Sequence, residues 1–412
     1  MRYNRFLNNM VSAHLRIYDS PICWTHSVVN YLEILKQVPT AHETSGLHTD
    51  KSPLPPVFDD TGNFYITFFA YMQIFLYFCG EMRKNSYIFI ILFLLFLALM
   101  LLNLCSGSVW LSPSHIFTWS SDNLSPIHEQ ILMHLRLPKM LTAVLAGASL
   151  SVAGLMMQTL FRNPLAGPYI LGVSSGASLG VALITMCSTI FTLPFKEGLG
   201  VGYTASAAIL GSIAVMLLVM LIAKRVRSSV TLLIVGMMVG NIAAALVNTL
   251  QNFANPDSLK LFIVWTLGSL NGVGWEQLPF LSVGIAIALI FVLLLIKPLN
   301  GLILGEDYAR GLGINVERTR WMMIIASCLL AGSVTAFCGP IAFIGVAVPH
   351  IARGLFASNN HRITVPACAL IGANILLICD ILCNLGTYSL PISTMSALFG
   401  APIILWIVLK KK

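Results

Sequence analysis

The sequence predicts an all-α, polytopic membrane protein with ten transmembrane helices. Three observations predict it. Of 412 residues, 57% are hydrophobic and only 10% are charged, and the mean hydropathy is +0.83; a soluble domain carries about a quarter charged residues. Apolar runs of the roughly 20 residues needed to cross a bilayer recur along the chain. Lys and Arg gather in every second connection between those runs. The alternating ten-residue strands of a membrane β-barrel are absent from the sequence.

The spans follow in order, at about 88–105, 139–160, 170–189, 203–223, 230–253, 278–297, 319–338, 341–357, 364–384 and 393–409. The first follows the basic head Arg83-Lys84, and the second follows "RLPK". The third comes after "RNPLAGP", and the fourth ends at "KRVR". The fifth is "VTLLIVGMMVGNIAAALVNTL", and the sixth stops at Lys297-Pro298. The seventh leaves the charged stretch ending at Arg320, the eighth holds "VPHIAR", the ninth contains Asp380, and the tenth ends at Lys410–Lys412. If the chain enters from the cytoplasm, the inner segments hold fifteen Lys and Arg, and the outer ones four: Arg136, Lys139, Lys196 and Lys260. This split places both ends of the core in the cytoplasm.

Residues 1–81 follow a different composition, with Pro53, Pro55 and Pro56 in a polar stretch. "NFYITFFAYMQIFLYFCG" is apolar enough for an eleventh span, yet "MRKNSYIFIILFLL" from Met82 reads as a self-sufficient start. The expectation is an N-terminal extension over 1–81, from an over-extended gene start, and a permease-like domain over 82–412. A faint internal repeat pairs Leu145–Gly147 with Leu330–Gly332, Gly154 with Gly339 and Pro164 with Pro349. The two copies would enter the membrane from opposite sides, as inverted repeats do.

Several chemistries are excluded. No GxxxxGK[ST] loop is present, so the chain has no phosphate cradle of its own. The nine cysteines form no CxxC and no metal-ligand spacing with His. The net charge of +8 fits basic cytoplasmic loops, not nucleic-acid binding.

Gly172, Gly176 and Gly180 fall four apart on one helical face, the pattern by which membrane helices approach closely. Asn163 and Pro164 in "RNPLAGP" disfavour helix and predict a tight re-entry turn beside them. Leu304–Arg320, with Glu306, Asp307 and Arg310, predicts a short amphipathic helix ending at Gly311 or Gly313. Asp380, within a span, is a candidate proton relay or a helix tie, and the tie is preferred. His350 reads as a packing residue.

"RLPKMLTAVLAGASLSVAGLMMQTLFRNPLAGPYILGVSSGASLG" resembles the signature of FecCD-type permeases, the membrane subunits of binding-protein-dependent ABC importers for iron chelates, haem and cobalamin. "FIVWTLGSL", "LGEDYARGLGINVERTR", "GPIAFIGVAVPHIARGL" and "LFGAPIILWIVLKKK" agree in order and spacing, from about Met82 to the end. The resemblance implies a large-type ABC importer permease, an inner-membrane homodimer that is not itself an enzyme. It implies a separate ABC ATPase that binds ATP and Mg, no cofactor on this chain, and a periplasmic or lipid-anchored substrate-binding protein. Glu306, Ala309, Arg310, Leu312 and Gly313 would form the ATPase contact, and Arg136 and Lys139 would meet acidic residues of the binding protein. Spans five and ten would line the pathway, with Met237, Asn241 and Asn248 as gating candidates. The rival reading is an ion-coupled secondary transporter, which predicts paired intramembrane charges and broken helices about a midplane site.

Overall fold

A computed structural model describes residues 85–107, 111, 126–187, 201–223, 225, 229–384 and 390–410. The readings of residues 1–81, and most of the loop before the tenth span, lie outside the described residues. Among the described residues every regular element is helical. The order is α1 (Asn85–Cys105), α2 (Pro126–Gln130), a π-helical turn (Ile131–Arg136), α3 (Leu137–Phe161), a 3-10 turn (Pro168–Leu171), α4 (Val173–Cys187), α5 (Val201–Ala223), α6 (Ser229–Phe253), α7 (Pro256–Thr266), α8 (Leu278–Ile303), α9 (Glu306–Gly311), α10 (Val316–Cys338), α11 (Ile344–Phe356), α12 (His361–Cys383) and α13 (Ile392–Lys410).

Among the described residues all ten expected spans coincide with helices; seven are long and apolar enough to cross a bilayer alone, and the tenth, α13, has 19 residues. The third and eighth depart from expectation. Helix α4 has 15 residues and α11 has 13, so they rise only about 22 and 20 Å, against about 30 Å of hydrocarbon. Each is preceded by backbone that leaves the helix. Before α4, Arg162 and Gly172 are left-handed and residues 168–171 form the 3-10 turn. Before α11, Gly339 and Phe343 have positive φ. Helix α7 was not expected, although Asn255-Pro256-Asp257 is a start signal: Asn255 Oδ1 accepts from Ser258 N at 2.9 Å, and Pro occupies the first turn. Asn315 and Asn360 cap α10 and α12 likewise.

Helix α3 is the axis of the bundle, buried along most of its length. Small residues let its neighbours come within backbone distance. A Cβ on Gly147 would meet the Gly372 carbonyl of α12, and one on Gly154 would meet the Gly345 carbonyl of α11. Gly176 and Gly180 interlock with Gly211 and Ala207 of α5, and Gly236 of α6 abuts Ile170 and Leu171. Lipid tails are as apolar as Leu, so close backbone approach supplies the packing that hydrophobicity cannot.

The linear repeat does not survive in detail. Gly154 lies within α3, whereas Gly339 ends α10 with φ 74. What recurs is a long helix, a break and a short helix (α3 to α4, α10 to α11), and the two breaks meet. Tyr169 Oη accepts from Ile341 N at 3.4 Å, and Gly345 packs on Pro168.

Candidate pathway and coupling site

Helix connectivity gives the bundle a basic end and an opposite end. At the basic end, α9 follows Gly305, whose φ of 119 suits glycine. Glu306 joins Arg320 of α10 at 3.3 Å and Arg310 at 3.9 Å, and Arg310 reaches Asp307 at 3.7 Å. Ala309 is fully buried beneath α9, beside Gly301 of α8, so it seats the helix and offers no outward contact. The exposed face is Asp307, Tyr308, Arg310 and Leu312, followed by Gly313 at φ 80. Tyr308 was missed in the sequence; an aromatic between charges on a six-residue helix, with no core to join, was the available signal.

Beneath this surface lies a knot of polar contacts. Gln158 of α3 donates to Val346 O at 3.1 Å and accepts from Arg353 at 2.6 Å. His361 meets Thr159 Oγ1 at 3.0 Å and Asn300 Oδ1 at 2.9 Å. His350 meets Pro164 O at 2.7 Å, which is a packing contact. Asn163 Oδ1 accepts from Leu165 N at 2.9 Å and closes the re-entry turn. The ends of α3, α8, α11 and α12 are thus joined behind the α9 surface.

At the opposite end the two expected docking residues, Arg136 and Lys139, have partners inside the chain. Arg136 is buried and donates to Leu104 O at 2.6 Å and Cys105 O at 3.0 Å, capping the C-terminus of α1. Lys139 pairs with Asp380 of α12 at 2.9 Å and donates to Asn384 Oδ1 at 3.1 Å. Asp380 also accepts from Asn103 of α1 at 2.8 Å. Asp380 is therefore a tie among three helices, α1, α3 and α12. Arg136→Met should cost about 1.5–3 kcal/mol, the worth of hydrogen bonds from a charged donor, and should speed amide exchange in the last turn of α1. Unchanged protection there would refute the cap.

The pathway candidates lie on α6. Met237, Asn241 and Asn248 are exposed and follow one another at helical spacing, with Ala244, Ala245 and Asn252 on the same side. Gly236 and Gly240 face inward instead, against residues 170–175. A polar stripe on an otherwise apolar helix is unsuited to lipid and suits water, cargo or another helix. Gly172, Gly176 and Gly180 are engaged in helix packing, away from this stripe.

With this geometry described, comparison with known proteins adds four findings. The family model described as the FecCD transport family matches residues 94–410. The vitamin B12 import system permease protein BtuC of Salmonella typhi is 36% identical over 332 residues, 80% of this chain and 97% of that protein. The BtuC protein of Salmonella enteritidis PT4 shows the same identity and coverage. A solved structure described as a metal-chelate type ABC transporter, in an inward-facing conformation, aligns with TM-score 0.69 and 30% identity, covering 79% of this chain and 99% of that one.

Proposed function

The chain belongs to the FecCD transport family, and on that premise we propose that it is the inner-membrane permease of a binding-protein-dependent importer for a bulky metal chelate. It is a multi-span ABC importer permease, a transport subunit and not an enzyme. Cobalamin is the first substrate to test, because the relatives described above are vitamin B12 permeases; an iron chelate, as siderophore or haem, is the second. The observation that carries the reading is the α9 surface, an exposed charged and aromatic face backed by a polar knot that joins four helices. A separate ATPase, carrying ATP and Mg, would dock there, and the knot would pass its movement to α3, α8, α11 and α12. The basic end would then be cytoplasmic. Two copies would face each other across the α6 stripe and α13. A periplasmic or lipid-anchored binding protein would deliver the cargo to the opposite end.

The marks of an ion-coupled transporter, broken spans and a buried ion pair, are both present. The pair, however, lies in the first turn of α3 and the last turn of α12, where it joins helix ends and lines no midplane site. The family decides for the ABC reading.

The decisive experiment is uptake by a strain lacking this gene, restored with the chain and given labelled cobalamin, haem and a ferric siderophore in parallel. Restored, energy-dependent uptake of one names the cargo; no uptake of any, with ATPase and binding protein present, overturns the chelate reading. A second test bears on coupling. The exposed ion pairs of Arg310 are worth at most about 0.5 kcal/mol each, so Arg310→Glu should leave the fold intact. It should reduce transport by the assembled complex about tenfold, equivalent to 1.4 kcal/mol of lost coupling. Normal transport by this variant would remove α9 from the ATPase contact.

A further inference from the structure

Phe343 stands at φ 67 and ψ −31, and Ile344 N donates to Ala342 O at 2.8 Å across it. This is the positive-φ form of the three-residue turn, which is rare and strained for any residue with a side chain. Four residues earlier the chain uses Gly339 for a positive φ of 74. At Phe343 it keeps an aromatic where glycine would be relaxed, and the contact explains why. A Cβ on Gly400 of α13 would fall on the Phe343 Cβ, and would lie 3.0 Å from its Cγ. Gly400 is buried, while Leu398, Phe399, Ala401 and Pro402 around it are exposed. Phe343 is therefore the point at which α13 rests on the head of α11.

The two sides of this contact differ in rigidity. Helix α11 is fixed: Gly345 lies on Gly154, Val346 O accepts from Gln158, His350 meets Pro164, and Ile341 just before it is bonded to Tyr169. Helix α13 packs chiefly against α11 and α12. Two residues beyond Gly400 it carries Pro402, which cannot donate to the Leu398 carbonyl. Glycine and proline together weaken the helix at the level of the strained turn. A change of Phe343 φ would withdraw its side chain from Gly400, so the seating of α13 here depends on the strained angle.

We propose that Phe343 is a positioning residue for transport, holding α13 at a Gly400–Pro402 pivot about which the segment beyond Pro402 swings during the ATP cycle. The proposal rests on the importer reading above. Its test uses the assembled complex in lipid vesicles, with nitroxide pairs on either side of the pivot. The distance between L355C and L409C should change by about 2 Å or more between nucleotide-free and ATP-bound states. The distance between T394C and L267C should stay constant. Equal changes in both pairs, or none in either, would overturn the pivot.

Function gives the second readout. Phe343→Gly should leave ATP hydrolysis running while transport per ATP falls about tenfold. Gly400→Ala should impair transport, and the double variant F343G/G400A should recover part of the loss, because the colliding Cβ is gone. Phe343→Gly with normal transport per ATP, or a double variant no better than Gly400→Ala, would overturn the positioning role. The spin-label distances report whether or not a cargo has been identified, so failure of the pivot and failure of the importer reading are distinguishable.

Discussion

Lys139→Met is expected to destabilise the folded chain by about 3–5 kcal/mol, the cost of stripping a buried ion pair of one partner. Asp380 is 3% exposed and holds Lys139 at 2.9 Å. Without the ammonium its carboxylate keeps amide donors, from Asn103 at 2.8 Å and Asn384 at 3.4 Å, which carry no full charge to offset its own. Asp380→Asn should cost about half as much, since the amide still meets Asn103 and the long Lys139 side chain can turn outward. The double variant K139M/D380L should recover most of the loss, because a well-packed apolar pair often equals a buried ionic one. Thermal unfolding of the wild type, K139M, D380L and K139M/D380L in nanodiscs closes the cycle. Additive losses would mean that the two side chains do not act as a pair.

The second large effect is at Gly154. A side chain there would enter the Gly345 backbone of α11, meeting its carbonyl and Cα, with no flexible side-chain end able to yield. Gly154→Val should therefore cost about 4 kcal/mol or more and prevent accumulation of folded chain. Gly332→Ala is the control. Its new methyl would meet Val173 Cγ1 at 3.6 Å, ordinary van der Waals contact, and the change should stay within about 1 kcal/mol. Equal expression and melting of both variants would remove the close crossing of α3 and α11.

The ten helices were legible because hydrophobicity and charge alternation report on each span separately. The helix at 306–311 was legible too, since charges and flanking glycines mark it locally. Depth was not legible: "YILGVSSGASLG" and "IAFIGVAVPH" run directly on into apolar sequence, and only the positions of their neighbours reveal that the helix starts late. Arg136 and Lys139 show the same limit. The family resemblance implied an acidic partner on another protein, while the partners they have within the chain, the end of α1 and Asp380, are distant in sequence. Gly154 and Gly345 give no separate signal that they face one another. Phe343 carries no signal at all, because its meaning lies in a backbone angle.

The asparagine stripe of α6 has a bearing on cell biology. In hydrocarbon an amide without a partner costs several kcal/mol, and Asn241 and Asn248 are exposed when the chain stands alone. A newly inserted copy is thus at its least comfortable before it meets whatever covers that face. An orphan copy would keep these amides exposed until that face is covered. The abundance of the chain in the bilayer should then follow the supply of its scarcest companion more closely than its own rate of synthesis.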